Sequence, residues 1–164
     1  MKHLFLDLED TVITPVWNGW QDTELINIQL VRDLIEFEKP DQVSIFSFAI
    51  HNQKERAEFV KHVRGRLEAA LEVVICNIPM VDEHIIPACA RTMGIHPETV
   101  SFNDACEFWS KHQAFRLYVK DSFRLVRQTW RTATEVILLD DMVFNETWHW
   151  PDLRIAGKLI RVQN

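Results

Sequence analysis

At 164 residues with 47% apolar side chains, the chain is sized for one domain with a full hydrophobic core. Its net charge of −6 and pI near 5.6 argue against bulk electrostatic binding of nucleic acid, although 18 Lys and Arg leave room for a local basic groove. No apolar stretch reaches the length of a membrane span and MKHLFLDLED is too short an apolar run for a signal peptide, so the expected compartment is the cytoplasm.

In chain order, the first element is an apolar strand, HLFLD (3–7), closed by Asp7, Glu9 and Asp10. TPVWNGWQD (14–22) reads as a flap; Trp17 and Trp20 on it either pack the loop down or stack a base or sugar. A helix is expected over 23–37, with Leu25, Ile28, Leu34 and Ile35 in one stripe and Asp22 as its cap. QVSIFSF (42–48) is a second apolar strand. Asn52, with Glu55 three residues on, opens the next helix as a capping-box variant. VVICNI (73–78) reads as a strand, and residues 82–93 as a helix that begins or bends at Pro87. TVSF (99–102) is a weaker strand candidate, and a long helix is expected over 105–130. EVILLDD (135–141) is a third strongly apolar strand; NETWHWPD reads as a surface loop packed by its tryptophans, and LRIAGKLIRV (153–162) as a weak strand.

Near-continuous apolar strands alternating with helices predict an α/β fold with a mostly parallel central sheet. The scarcity of glycine, only residues 19, 65, 94 and 157, removes both the GxxxxGK[ST] loop and the GxGxxG turn. Any bound phosphate must therefore be held by a metal, side chains and ordinary turns. Cys76, Cys89 and Cys106 show no metal or disulfide spacing and are expected to be buried free thiols.

In a parallel sheet, ligands collect beyond the carboxyl ends of the strands. There the sequence places Asp7, Glu9, Asp10 and Thr11 after the first strand, Ser47 after the second and Asp140-Asp141 after a later one. Either acidic cluster alone could simply cap a helix. Together on one sheet edge they would repel one another, and a hard divalent cation such as Mg²⁺ would relieve that repulsion.

The order of these residues resembles the haloacid dehalogenase-like (HAD) phosphohydrolase superfamily. That family carries DxDx[TV] after its first strand, Ser or Thr after its second, a Lys near the start of a later helix, and a further acidic pair. The resemblance runs from residue 4 to about 145, through Asp7 and Thr11, Ser47, Lys111 or Lys120, and Asp140 with Asp141. It implies a single three-layer, Rossmannoid domain over residues 1–164; no substantial cap is expected, because the 39 residues between Asp7 and Ser47 are mostly spent on one helix and one strand. It further implies a Mg²⁺-dependent phosphohydrolase working through an aspartyl-phosphate on Asp7.

On the same resemblance, Asp7, the backbone carbonyl of Glu9, and Asp140 or Asp141 would bind Mg²⁺. Thr11, Ser47 and Lys111 would hold the phosphate, and Asn145 would steady the metal's surroundings. Lys111 is preferred to Lys120 because it stands 29 residues before Asp140, room for a long helix, a turn and a strand, whereas Lys120 falls mid-helix. Glu9 replaces the family's usual acid–base Asp, and Asp10 stands where relatives often have Gly.

The expected substrate is an exposed phosphomonoester: a nucleic-acid end, a nucleotide, a phosphoprotein or a small ester. Of these an open site suits the large ones, while a small ester would need closure from a loop or a partner chain. His51 and His149 are further candidates for contact with substrate. The alternatives are a catalytically weakened HAD-like binding or regulatory module, an unrelated α/β domain whose acids are caps, and a response-regulator receiver. The last is disfavoured because its acidic pair comes first and its lysine last.

Overall fold

The computed structural model describes residues 1–99, 110–125 and 134–163. Three parallel strands form where the apolar runs predict them: β1 (Lys2–Leu6), β2 (Gln42–Ile45) and β3 (Thr134–Asp140). Two more follow, β4 (Glu146–Trp150) and β5 (Ile155–Arg161). The sheet order is β2-β1-β3-β5-β4, with β4 antiparallel to β5 on one edge and every other pairing parallel.

Alternation along the strands builds a core on each face. Leu4, Leu6, Val43, Ile45, Ile137 and Leu139 face one side, where α1 (Ile28–Glu38), α2 (Gln53–Phe59) and α3 (Gly65–Leu71) cover them with Val31, Phe59 and Leu67. Helices α2 and α3 are joined by a π-helical turn, Val60–Arg64. Phe5, Val136 and Leu138 face the other side, under α4 (Ile86–Met93) and α5 (Lys111–Leu125). The result is a three-layer α/β sandwich. Among the described residues no helix is long and apolar enough to cross a membrane.

Asn52 caps α2 as expected, its side chain accepting the Glu55 N–H at 3.2 Å. Pro87 stands in the first turn of α4, after a π-helical turn at Val81–Ile85. Other expectations change. The helix expected from 23 begins at Ile28, with Asn27 as its left-handed N-cap, while Asp22 lies in a 3₁₀ turn. Leu25 is instead engaged in an antiparallel bridge with Ile13. The second strand stops at Ile45, leaving Ser47 in the following loop. VVICNI touches β2 through one bridge, Val43 to Ile75, and two flanking hydrogen bonds instead of a full ladder.

Thr99 ends a 3₁₀ turn, and the rest of TVSF lies outside the described residues, as do Cys106 and the ends of the expected 105–130 helix. Cys89 is buried, and burial pushes its thiol up to about 12, whereas Cys76 is exposed. Trp20 is packed down, its Nε1–H donating to Glu55 at 2.7 Å; Trp17 is 88% exposed.

The largest correction concerns NETWHWPD, which is not a loop but carries the edge strand β4. Trp148 pairs across the ladder with Gly157 of β5, and its ring lies flat where a Cβ on residue 157 would project. Glycine in a strand often marks such a close approach. The ring cannot retreat: the Arg116 guanidinium stands 4.9 Å from its centroid, and Phe115 and Trp150 meet it edge to face. Gly157→Ala should therefore lower stability by about 1–3 kcal/mol, the range for an overpacked core. A fall in denaturant midpoint at unchanged slope would register it.

Candidate functional site

The sheet register assembles the site. Leu6 of β1 is level with Leu139 of β3 and with Ile45 of β2, so the next residues, Asp7 and Asp140, emerge side by side. The Asp7 N–H donates to the Leu139 carbonyl at 3.0 Å, which continues the pairing by one step. The parity that turns Phe5 and Leu138 toward α4 and α5 turns Asp7 and Asp140 the same way. Lys111, the first residue of α5, approaches from that side.

Lys111 forms an ion pair with Asp7 and places its Nζ 2.7 Å from Asp140 Oδ2. The ammonium thus bridges the two buried carboxylates. Thr11 Oγ1 donates to Asp7 Oδ2 at 2.8 Å and accepts the Asp141 N–H at 3.1 Å. Met142 N–H donates to Asp140 Oδ1 at 2.9 Å. Carboxylate oxygens of Asp7, Asp140 and Asp141 all lie within 4.8 Å of one another.

Burial, the largest influence, and the neighbouring Asp140 carboxylate push Asp7 up to about 7 against the opposing pull of Lys111. Burial and Asp140 likewise raise Asp141. For Lys111, burial acts to lower the pKa, but Asp7 and Asp140 together outweigh it and the net direction is up. Three carboxylates against one ammonium leave a formal charge of −2 when ionised. A single divalent cation balances that charge. The all-oxygen donor set, three carboxylates converging within 4.8 Å of one another, fits Mg²⁺, held by carboxylates and completed by water or phosphate oxygens.

These groups wall an open cavity of roughly 470 Å³, which Glu9, Asp10 and Ser47 also line. Asp10 has φ 61, in the left-handed region that Gly enters most easily and Asp tolerates. Glu9 is tied to the flap, its Oε2 accepting the Val16 N–H at 2.9 Å. Ser47 is buried, and its Oγ accepts the Ala49 N–H at 3.2 Å.

Several sequence candidates fall elsewhere. Asn145 accepts the Arg161 N–H at 2.6 Å and makes no hydrogen bond to the carboxylates among the described residues. Lys120 and His149 line a different hollow, between α5 and β4. His51 is not part of the cavity wall. Conversely, Phe48, Ser110, His112 and Met142 join that wall without having been singled out. Adjacency was their only signal: Phe48 follows Ser47, Ser110 and His112 flank Lys111, and Met142 follows the acidic pair. Phe48 sets its ring 5.8 Å from Lys111 Nζ, at cation–π distance. Ser110 Oγ and His112 Nε2 are 3.2 Å apart.

No family model, curated protein or solved structure matches the chain, so the assignment of its chemistry rests on this geometry and on the order of its motifs.

Proposed function

We propose that the protein is a Mg²⁺-dependent phosphohydrolase of the haloacid dehalogenase type, acting on an exposed phosphomonoester through an aspartyl-phosphate on Asp7. One observation carries this reading: Asp7, Asp140, Asp141 and Lys111 converge at the carboxyl edge of a parallel sheet, on the wall of an open cavity. Asp7 would attack phosphorus, forming its O–P bond as the ester oxygen departs with the electron pair of the broken bond. Water would then displace the phosphate from Asp7, returning the carboxylate.

Lys111 would offset charge on the phosphoryl oxygens, and Ser47 lies on the wall where it could donate to them. Thr11 fixes the Asp7 carboxylate through its hydrogen bond. Bound Mg²⁺, held by Asp7, Asp140, Asp141 and the Glu9 carbonyl, would supply electrostatic stabilisation of the transferring group. Glu9 also lines the cavity, and its side chain is the candidate to protonate the leaving oxygen and then take a proton from water. Its Oε2 is held by the Val16 N–H, which restrains how far the carboxyl can turn toward substrate.

That tether favours a second reading, a metal- and phosphate-binding module with little turnover. Hydrolysis of an aryl phosphate, assayed in Mg²⁺ and in EDTA, separates the two. Turnover that needs Mg²⁺ supports the enzyme; Mg²⁺ binding without turnover supports the module. A protein that neither binds Mg²⁺ nor turns over would sink both.

A further inference from the structure

Beside the acidic cavity lies a hollow that its chemistry does not use. It is about 260 Å³ in volume and runs between α5 and β4. From α5 it takes Gln113, Arg116 and Lys120, at the spacing of one helix face, and from β4 it takes Trp148, His149 and Trp150. The two indoles meet edge to face with centroids 5.9 Å apart. Arg116 stacks on Trp148 and pairs with Glu146 through one terminal nitrogen; its Nε is buried, so only the other terminal nitrogen is left for another acceptor. Lys120 has no ion-pair partner among the described residues. Two cations thus face a single carboxylate, beside paired aromatic rings.

The hollow adjoins the acidic cavity along the helix. Ser110, Lys111 and His112 wall the cavity, and the next residue, Gln113, opens the hollow. Lys120 lies about 13 Å along the helix axis from Lys111, a span of a few nucleotides.

We propose that this hollow binds single-stranded nucleic acid, with a base against Trp150 and backbone phosphates on Lys120 and Arg116. Aromatic faces beside cations are the combination such strands require, since every base has a π-face and every linkage a charge. An acidic peptide would use the cations but leave the indoles without a matching surface. The proposal deepens the phosphohydrolase reading, on which it rests only for the strand's phosphorylated end reaching the acidic cavity. The net charge of −6 opposes the strand at long range, so binding should be modest and strongly salt-dependent.

The test is fluorescence anisotropy of a short labelled oligothymidylate at low salt, with the unaltered protein and with Lys120→Glu, Gln113→Glu and Asp7→Asn. Gln113 is exposed and Lys120 half-buried, and thermal melts check that each variant folds. Lys120→Glu is expected to weaken binding roughly tenfold and to flatten the salt dependence by about 0.7 per lost phosphate contact. Gln113→Glu should weaken it less, and Asp7→Asn should retain it. Failure of the unaltered protein to bind overturns the proposal, as does binding that survives both α5 substitutions or that disappears with Asp7→Asn. The aryl phosphate assay is independent of this outcome: strand binding that needs Lys120, without ester turnover, would leave the hollow standing and remove the enzyme. Equal competition by an acidic peptide would also overturn it, by making the site one for charge alone.

Discussion

Asp7→Asn is expected to abolish Mg²⁺-dependent ester hydrolysis, by a factor of at least about a thousand, while the protein stays folded. The amide matches the carboxylate in shape, so packing around residue 7 survives, but it is too weak a nucleophile to form the aspartyl-phosphate. The same substitution should also change how stability depends on pH. In the metal-free protein Asp7 is raised from an ordinary 3.8 to about 7, chiefly by burial. A raised carboxyl means that the folded state holds its proton more tightly than the unfolded state. Its contribution is therefore complete in acid, below pH 4, and is lost as pH climbs toward 7.

A shift of this size corresponds to a stability change on the order of 4 kcal/mol. Thermal melts in EDTA should show the melting temperature falling from pH 4 to pH 7. Asn has no such proton to lose, and most of that fall should vanish in the variant. Asp141, also raised, acts in the same direction. Mg²⁺ should flatten the profile of the unaltered protein, because a cation favours the ionised cluster. An unchanged slope in Asp7→Asn would place the titration elsewhere and remove the charged cluster from the account.

The parts of this site that sequence made legible depend on short-range regularities. HLFLD and EVILLDD are apolar on both faces because helices cover both faces of β1 and β3. Acids directly after two such strands must share one sheet edge once the strands are parallel neighbours, and the register sets them level. The distance of Lys111 along the chain from Asp140 leaves room for α5 and the return to β3, which singles it out from Lys120. β5 was harder to read because it alternates buried and half-buried residues and carries Gly157 and Lys158 in its interior. β4 has the same period, with Glu146, Trp148 and Trp150 on one face. Its two tryptophans beside Pro151 resemble a packed loop equally well, and only pairing with Gly157 distinguishes the strand.

Other features are decided by contacts distant in sequence. Asp22 has the chemistry of a cap, but Leu25 is taken up in a bridge to Ile13, which delays α1 to Ile28. The tether from Glu9 to Val16 and the approach of Phe48 to Lys111 depend on how loops meet at the sheet edge. No local periodicity encodes either contact.

Lys111→Met separates the role of charge in this cluster from the role of packing. Methionine fills much of the same volume but leaves Asp7 and Asp140 without their shared ammonium. Removing one partner from a buried ion pair typically costs about 3–5 kcal/mol, and a loss of that size is expected in EDTA at neutral pH. The cost should shrink in acid, since protonated carboxyls no longer repel. It should also shrink in Mg²⁺, because a cation that binds only the folded protein stabilises it by mass action, about 2.7 kcal/mol at a hundred times its Kd. Without the ammonium the formal charge of the cluster falls from −2 to −3, so Mg²⁺ should raise the melting temperature of the variant more than that of the unaltered protein. Hydrolysis should nevertheless remain lost, because the metal restores charge balance without replacing a donor at the phosphoryl oxygens. Equal stability of the two proteins in EDTA would mean that the ion pair contributes nothing. A variant destabilised in EDTA but indifferent to Mg²⁺ would make Lys111 a structural counter-ion to Asp7 and Asp140, and would remove the metal from the site.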